Sequence, residues 1–377
     1  MELNKMKLKV PYNYLPEQFN NHEKFFNLWK PVLESGEFTL GPFVENFEKK
    51  FASYIGSKFC IATNNGTDAL VLSLKAAGIN PGDEVITPCN SFYATTGAIV
   101  AVGAAPIFTD VDSRYQIEIS ELKKLVTKKT KAILPVHWAG ASPDMLKISE
   151  FAIEHNLSVI EDACMAIGGK FHGRSPGTFG DLGAYSMHPL KSLNVAGDGG
   201  MVVTDNESLY LWMKKFRNHG MTNRNEIEFW GVNMRIQPLQ AVIADYFLDY
   251  VDDFISIRNK NASHLDKLLN DLDDFVQIPD RWQHNLETFS LYMILVSDRD
   301  NLMKYLIQNG VEAKIHYPIP LHLQPAAQKL GLNKRVLPVA EKQAGNLLTI
   351  PIHQYLKSDQ LDYVSQLIHT FYQGKQP

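Results

Sequence analysis

Residues 157–205 read LSVIEDACMAIGGKFHGRSPGTFGDLGAYSMHPLKSLNVAGDGGMVVTD, and this stretch decides the fold. It holds three short apolar runs, at residues 157–160, 183–187 and 201–204. Each has the length and bounding turn residues of a buried strand. The first run ends in Glu161 and Asp162. The second passes through His188, Pro189 and Leu190 to Lys191. The third follows the turn Gly197-Asp198-Gly199-Gly200. In open α/β sheets ligands bind outside the carboxyl ends of the strands. Asp162 and Lys191 are therefore delivered to the place where such a fold builds a site.

The two residue types suggest one chemistry. A lysine amine condenses with a carbonyl to form a Schiff base. An acid beside a pyridine nitrogen keeps that nitrogen protonated and the ring an electron sink. Together they describe a site for pyridoxal 5′-phosphate. Ser186, five residues before Lys191, offers a hydroxyl for the phosphate. Taken singly, Asp162 is explained as a turn cap and Lys191 as a solvated lysine. The three together point to chemistry.

Composition sets the outer bounds. The chain has 377 residues, 45% hydrophobic and 21% charged, which is enough for a large core. A net charge of −4 leaves no general basic footprint for nucleic acid or an anionic membrane. Cys60, Cys89 and Cys164 are too few, and odd in number, for a disulfide framework, which places the chain in a reducing compartment, the cytoplasm. No CxxC pair or His/Cys cluster suggests a metal. The opening MELNKMKLKVPYNYL lacks the apolar core of a signal peptide, and no apolar run approaches the ~18 residues of a membrane span.

From the amino end, the spacing predicts a short helix over 27–36, ended by Gly36, and an amphipathic helix from Pro42 with Val44, Phe47 and Phe51 on one face. A strand over 58–63 enters a small polar turn, Asn64 to Thr67, that opens a helix. A helix N-terminus of this kind is an anion site. Further strands are expected over 84–88, 105–112 and 131–137, the last ending in His137. Helices follow over 237–250 and 251–272. Then come a strand over 290–296, a helix over 300–308, a strand over 347–351 and a helix over 358–372. This alternation indicates an α/β fold with a mostly parallel sheet between helices. The expected division is an N-terminal leader, residues 1–41, with a large cofactor-binding domain, together residues 1–250, and a smaller α+β domain over 251–377.

The stretch VIEDACMAIGGKFHGRSPGTFGDLGAYSMHPLKSLNVAGDGGMVVTD resembles the central region of the DegT/DnrJ/EryC1/StrS sugar aminotransferases, and the resemblance extends from about Pro42 to Val364. It implies fold type I and pyridoxal phosphate as cofactor. Carried onto this chain, it makes Lys191 the Schiff-base lysine and Asp162 the partner of the ring nitrogen. It assigns the phosphate to Gly66, Thr67 and Ser186. SFYAT at 91–95 is similar to the family's Thr-aromatic-x-Ala-Thr segment, which implies that Phe92 stacks on the ring. RNHG at 217–220 and WGVNMRI at 230–236 also resemble family segments. They imply that Asn233 reaches the phosphate of a neighbouring subunit, hence a homodimer with shared sites. HYPIPLHLQP at 316–325 is similar to a loop near the family's substrate pocket, which makes His316 and Tyr317 substrate candidates.

The activity so implied is ping-pong transfer of an amino group from an amino acid, L-glutamate by analogy, to a keto-sugar, nucleotide-linked in most of the family. Lys191 separates the chain from a branch that carries His there and removes a hydroxyl. Asp198 in its glycine-rich turn favours a 3-keto over a 4-keto sugar. Met165 stands where the family has Gln or another polar residue. A thioether cannot donate a hydrogen bond, which opens a free keto-sugar acid as an alternative substrate. Two rivals are a fold type I lyase acting on an amino acid and a non-catalytic, cofactor-binding regulatory protein. The segments at 66–70 and 316–325 oppose the first. The Asp162, Ser186 and Lys191 set, with no basic arm, opposes the second. Arg217, Arg224, Arg235 and Arg281 all remain open as anion-binding residues.

Overall fold

Seven strands form the central sheet of the computed structural model, which describes residues 8–332 and 335–375; the first seven residues of the charged opening stretch lie outside the described residues. In chain order the strands are β1 (Phe59–Thr63), β2 (Glu84–Pro88), β3 (Ala105–Thr109), β4 (Thr130–Ile133), β5 (Ser158–Asp162), β6 (Leu182–Ser186) and β7 (Gly200–Thr204). Their spatial order is β1-β7-β6-β5-β4-β2-β3. The neighbours from β6 to β3 pair in parallel, and β7 runs antiparallel to both β1 and β6. The register sets Asp162 opposite Ala184 on β6, and Ser186 opposite Gly200 on β7. The carboxyl ends of β5 and β6 therefore lie side by side, one carrying Asp162 and the other leading to Lys191.

The expected strand over 131–137 is shorter. Its ladder ends at Ile133, because Pro135 has no N–H to contribute. The chain rejoins the sheet at Val136, bridged to Asp162, whose own N–H donates to Pro135 O at 2.9 Å. The helix expected over 27–36, α1 (His22–Ser35), starts earlier because the Asn21 side chain caps it, accepting from Lys24 N–H. It closes as expected at Gly36, in left-handed conformation.

Alternation along the strands splits the core between two faces. Cys60, Ala62, Tyr185, Met201 and Val203 pack with α2 (Pro42–Ile55), where Val44, Phe47 and Phe51 are buried as the periodicity predicts. Ile61, Ala184 and Val202 face the other way, onto α3 (Gly66–Ala76), α4 (Tyr93–Ala101) and later helices. Helices α5 (Met145–His155), α6 (Glu207–Phe216) and α7 (Pro238–Leu248) complete the cover.

The remaining chain, from α8 (Val251–Leu268) on, builds a second, antiparallel sheet of β8 (Val276–Gln277), β9 (Tyr292–Val296) and β10 (Leu347–Ile350), in that order. With α9 (Arg299–Gln308) and α10 (Ser358–Tyr372) it encloses a core of its own, containing Leu265, Tyr292, Ile294, Leu348 and Val364. Val10 of the leader belongs to this core. Lys9 and Val10 donate to Gly310 O, Glu312 N–H donates to Val10 O, and Tyr12 N–H donates to the Glu312 carboxylate. Among the described residues no helix is long and apolar enough to cross a membrane.

Candidate active site

β5 ends in Asp162, which is 5% exposed. One carboxylate oxygen accepts from the Thr95 hydroxyl at 2.7 Å and the other from Cys164 N–H at 3.2 Å. Two donors on opposite oxygens fix the plane of the group, and further lone pairs stay available for a ligand N–H. Lys191 lies beside Asp162 and Cys164. Burial pushes the pKa of its amine down, against the opposing pull of the Asp162 carboxylate. Burial, then the Asp162 charge, holds the Cys164 thiol far above its ordinary range, so it stays protonated. The site thus presents a fixed carboxylate and a desolvated amine.

The other end of the site is the start of α3. The Asn65 side chain caps it, accepting from Asp68 N–H at 2.8 Å. The first N–H groups of a helix lack intrahelical partners and carry the positive end of its dipole. Gly66 makes this terminus tight. A Cβ there would stand 2.7 Å from Ser186 Cβ, 3.1 Å from its hydroxyl and 3.2 Å from Cys164 Sγ. Gly66, Ser186 and Cys164 therefore meet, with exposed Thr67 following on the first turn. Asn64 Oδ1 and Thr96 Oγ1, each next to a site residue, are buried with no protein partner. A pyridine ring bearing an aldehyde and a phosphate fits this donor set: the aldehyde to Lys191, the ring N–H to Asp162, the phosphate to Gly66, Thr67 and Ser186.

Residues 20–369 match the DegT/DnrJ/EryC1/StrS aminotransferase family. The chain belongs to this family. It is accordingly a transaminase, and its cofactor is pyridoxal 5′-phosphate. It is 37% identical to a "Pleiotropic regulatory protein" of Geobacillus stearothermophilus, over 97% of this chain and 99% of the relative. It is 35% identical to the dTDP-3-amino-3,6-dideoxy-alpha-D-galactopyranose transaminase of Aneurinibacillus thermoaerophilus, over 90% and 93%. Among solved structures, NtdA from Bacillus subtilis with bound cofactor PMP superposes with a TM-score of 0.88 at 32% identity, over 97% of this chain and 87% of that one.

The other expected residues of this aminotransferase fall into two groups. Phe92 precedes α4 and is 47% exposed, which removes the simple explanation of a core phenylalanine. It lies 5.2 Å from the Tyr93 ring and 6.0 Å from Tyr317, which also touches Trp138. His316 stacks on Tyr12 and bonds Thr349 Oγ1 at 3.0 Å. Burial, then the charges of Lys314 and Lys191, lowers its pKa to about 4, so it is neutral near pH 7. His316, whose ring meets Tyr317 at 5.2 Å, is near enough to Lys191 to feel its charge. Asn233 does not join them. It bridges to Asn218, and its side-chain oxygen accepts from Arg235 Nε.

His137 is structural. Its Nε2 meets Glu161 at 2.8 Å and its Nδ1 meets Ser142 at 3.0 Å. Arg217 is buried against Glu48 and Ala62 O, and Arg281 is tied to Asp266 and Glu287. Neither is free to bind an anion, which narrows the four arginines to Arg224 and Arg235. Sequence reasoning does not single out Thr95, Cys164, Tyr14 or Arg258. Thr95 lies inside the SFYAT segment. Tyr14 and Arg258 meet the site only through the tertiary fold.

Proposed function

We propose that this transaminase moves an amino group from L-glutamate to the C3 ketone of a nucleotide-linked sugar. The observation that carries this is the buried Asp162 carboxylate, aimed by Thr95 and Cys164 N–H, beside the desolvated Lys191 amine. The dTDP-3-amino sugar transaminase among its relatives, and Asp198 in its turn, support C3. Glutamate rests on the family resemblance.

Pyridoxal phosphate, when bound, supplies the electron sink that makes the donor's α-C–H acidic. The chain's own residues do the rest. Asp162 would accept a hydrogen bond from the ring nitrogen. The α3 N-terminus and Ser186 hold the phosphate. A lowered pKa raises the neutral fraction of Lys191 Nζ, the form that attacks a carbonyl. When not bonded to the cofactor, Nζ would take up and return a proton as a positioned base. Donor and acceptor occupy one site in turn, so the kinetics are ping-pong.

The active unit in this reading is a homodimer in the cytoplasm. Asn233 and the 88% exposed Trp230 sit on one short segment, suited to a partner surface. The three unpaired cysteines suit a reducing compartment. Residues 1–250 and 251–377 act as two domains, with residues 9–14 of the leader joining the second. Met165 keeps a free keto-sugar acid as a second acceptor class. Its carbonyl accepts from the Thr288 and Ser290 hydroxyls at 2.6 and 2.7 Å, and its half-buried side chain packs against the core.

The test is an absorption spectrum of the cofactor-loaded protein before and after L-glutamate, followed by a screen of nucleotide-linked and free keto-sugars. Bleaching of the visible band by glutamate, and its recovery with a 3-keto nucleotide-sugar, is the expected result. A band that glutamate leaves unmoved sinks the donor assignment. Recovery only with 4-keto or free sugars sinks the acceptor assignment.

A further inference from the structure

We propose that Tyr14 and Arg258 form a clamp on the backbone of Lys191, so that the leader and α8 together position the amine. The inference rests on the functional reading of Lys191 and adds two positioning residues to it.

The turn that presents Lys191 is held in an unfavourable shape. Leu190 has a φ of 74°, a conformation that branched, bulky residues rarely adopt. Such a turn persists only where its surroundings fix it. Within the turn Lys191 N–H donates to His188 O at 3.1 Å, and Asn194 Nδ2 reaches Lys191 O at 3.5 Å; the shorter bond to that carbonyl comes from the Tyr14 hydroxyl, which donates to it at 3.0 Å. The same hydroxyl accepts from Arg258 Nη2 at 3.0 Å. Tyr14 is 2% exposed and Arg258 is 1% exposed.

Arg258 is itself unusual. A buried guanidinium normally meets a carboxylate. Among the described residues its partners are neutral: Nε donates to Gln354 Oε1 at 3.0 Å, Nη1 to Phe289 O at 3.2 Å and Nη2 to Tyr14. A fully desolvated charge held only by neutral acceptors is sensitive to each of them. The Tyr14 hydroxyl is thus fixed from behind by a group that cannot give up a bond cheaply. In front, it holds the carbonyl of the residue whose amine must swing. The clamp joins four distant pieces of chain: the leader, α8, the residues around Phe289 and those around Gln354. Displacement of the C-terminal elements would be transmitted to Lys191 through one oxygen atom.

Tyr14→Phe deletes that oxygen and keeps the ring, which packs at 5.0 Å from His353 and 5.8 Å from Tyr355. The first readout needs no cofactor. Reductive methylation of the cofactor-free full chain by formaldehyde and cyanoborohydride, mapped by mass spectrometry, gives the labelling rate of each lysine. Lys170, bonded to Ser175 Oγ at 2.9 Å, is the internal reference. Expected is a Lys191 rate raised at least about threefold, with Lys170 unchanged. The second readout is kinetic: kcat lowered about tenfold, the equivalent of ~1.4 kcal/mol, with KM for glutamate unchanged. Arg258→Lys should act in the same direction, and the double variant should be no worse than the worse single one, as expected for residues acting as one unit. Unchanged Lys191 labelling and kcat in Tyr14→Phe overturn the clamp. So does a lowered melting temperature in which both lysines label faster together, since that is general loosening. If the wild-type protein takes up no cofactor, the functional reading falls, while the labelling arm still decides the clamp.

Discussion

Gly66 has no room for a side chain. The methyl of Gly66→Ala would press on Ser186 Cβ at 2.7 Å and on the Cys164 sulfur. Overpacking of this kind costs ~1–3 kcal/mol, and here it falls on the groups proposed to hold the phosphate. We expect Gly66→Ala to weaken cofactor affinity at least about tenfold, by fluorescence titration, while unfolding of the cofactor-free protein shifts by no more than ~3 kcal/mol. Affinity equal to wild type would remove Gly66 from the site. Asp162, Ser186 and Lys191 were legible in the sequence because each stands at or just past the end of an apolar run. Thr95 was not, because its partner Asp162 is 67 residues away and a threonine at the start of a helix carries no chemical signature of its own. Asn233, assigned by resemblance, sits apart from the others in a single chain.

At the scale of elements, β5 owes its place to Glu161 as much as to its apolar residues. Glu161 is fully buried, and it accepts from His137 and from the N–H groups of Gly177, Phe179 and Gly180. One carboxylate so ties the segment after β4 and the turn before β6 to the strand that carries Asp162. Glu161→Leu leaves four N–H donors, three on the backbone and one on His137, without this acceptor, and breaking a buried charged contact costs ~3–5 kcal/mol. The expected outcome is loss of that order in chemical denaturation, with cofactor binding reduced in parallel. A change below ~1 kcal/mol would show that water replaces the carboxylate. Strands and their order of appearance were readable because short apolar runs bounded by Gly, Pro and Asp have few alternatives. What escaped was set by single atoms: the missing N–H of Pro135 that shortens β4, and the Asn21 cap that extends α1. The destination of the leader escaped altogether, since Val10 and Tyr14 look like ordinary apolar residues until α8 and β10 are in place.

The whole molecule is fastened by that leader, and its fastening responds to acid. His316 stacks on Tyr12, and His353 donates from Nε2 to Pro11 O at 3.0 Å. Burial, the main cause for both, lowers their pKa values from 6.5 to about 4. Both are neutral when folded and gain a proton more readily when unfolded. Their contribution is complete above pH 6.5 and is lost as pH falls towards 4. By linkage it amounts to at most ~3 kcal/mol for each. The melting temperature should therefore be flat between pH 7 and 8 and fall from pH 6.5 to 4.5, with a shallower fall in His353→Asn. An equal slope in that variant would assign the acid sensitivity to other groups. The proposed dimer makes a separate prediction at this scale. Lys191→Ala and Asn233→Ala, each inactive alone, should recover about a quarter of wild-type activity when unfolded and refolded together, because half the dimers are mixed and each of those has one intact site. No recovery would place Asn233 in the site of its own chain, or outside any site. The leader has one more consequence, for synthesis. A ribosome delivers Tyr14 before Lys191 and Lys191 before Gln354, at ~5–20 residues per second. The oxygen that steadies the lysine finds its support from Gln354 and Arg258 on the order of 20–70 s after Tyr14 is made. The nascent protein thus carries its amine for part of that time without the arrangement that makes it an efficient nucleophile.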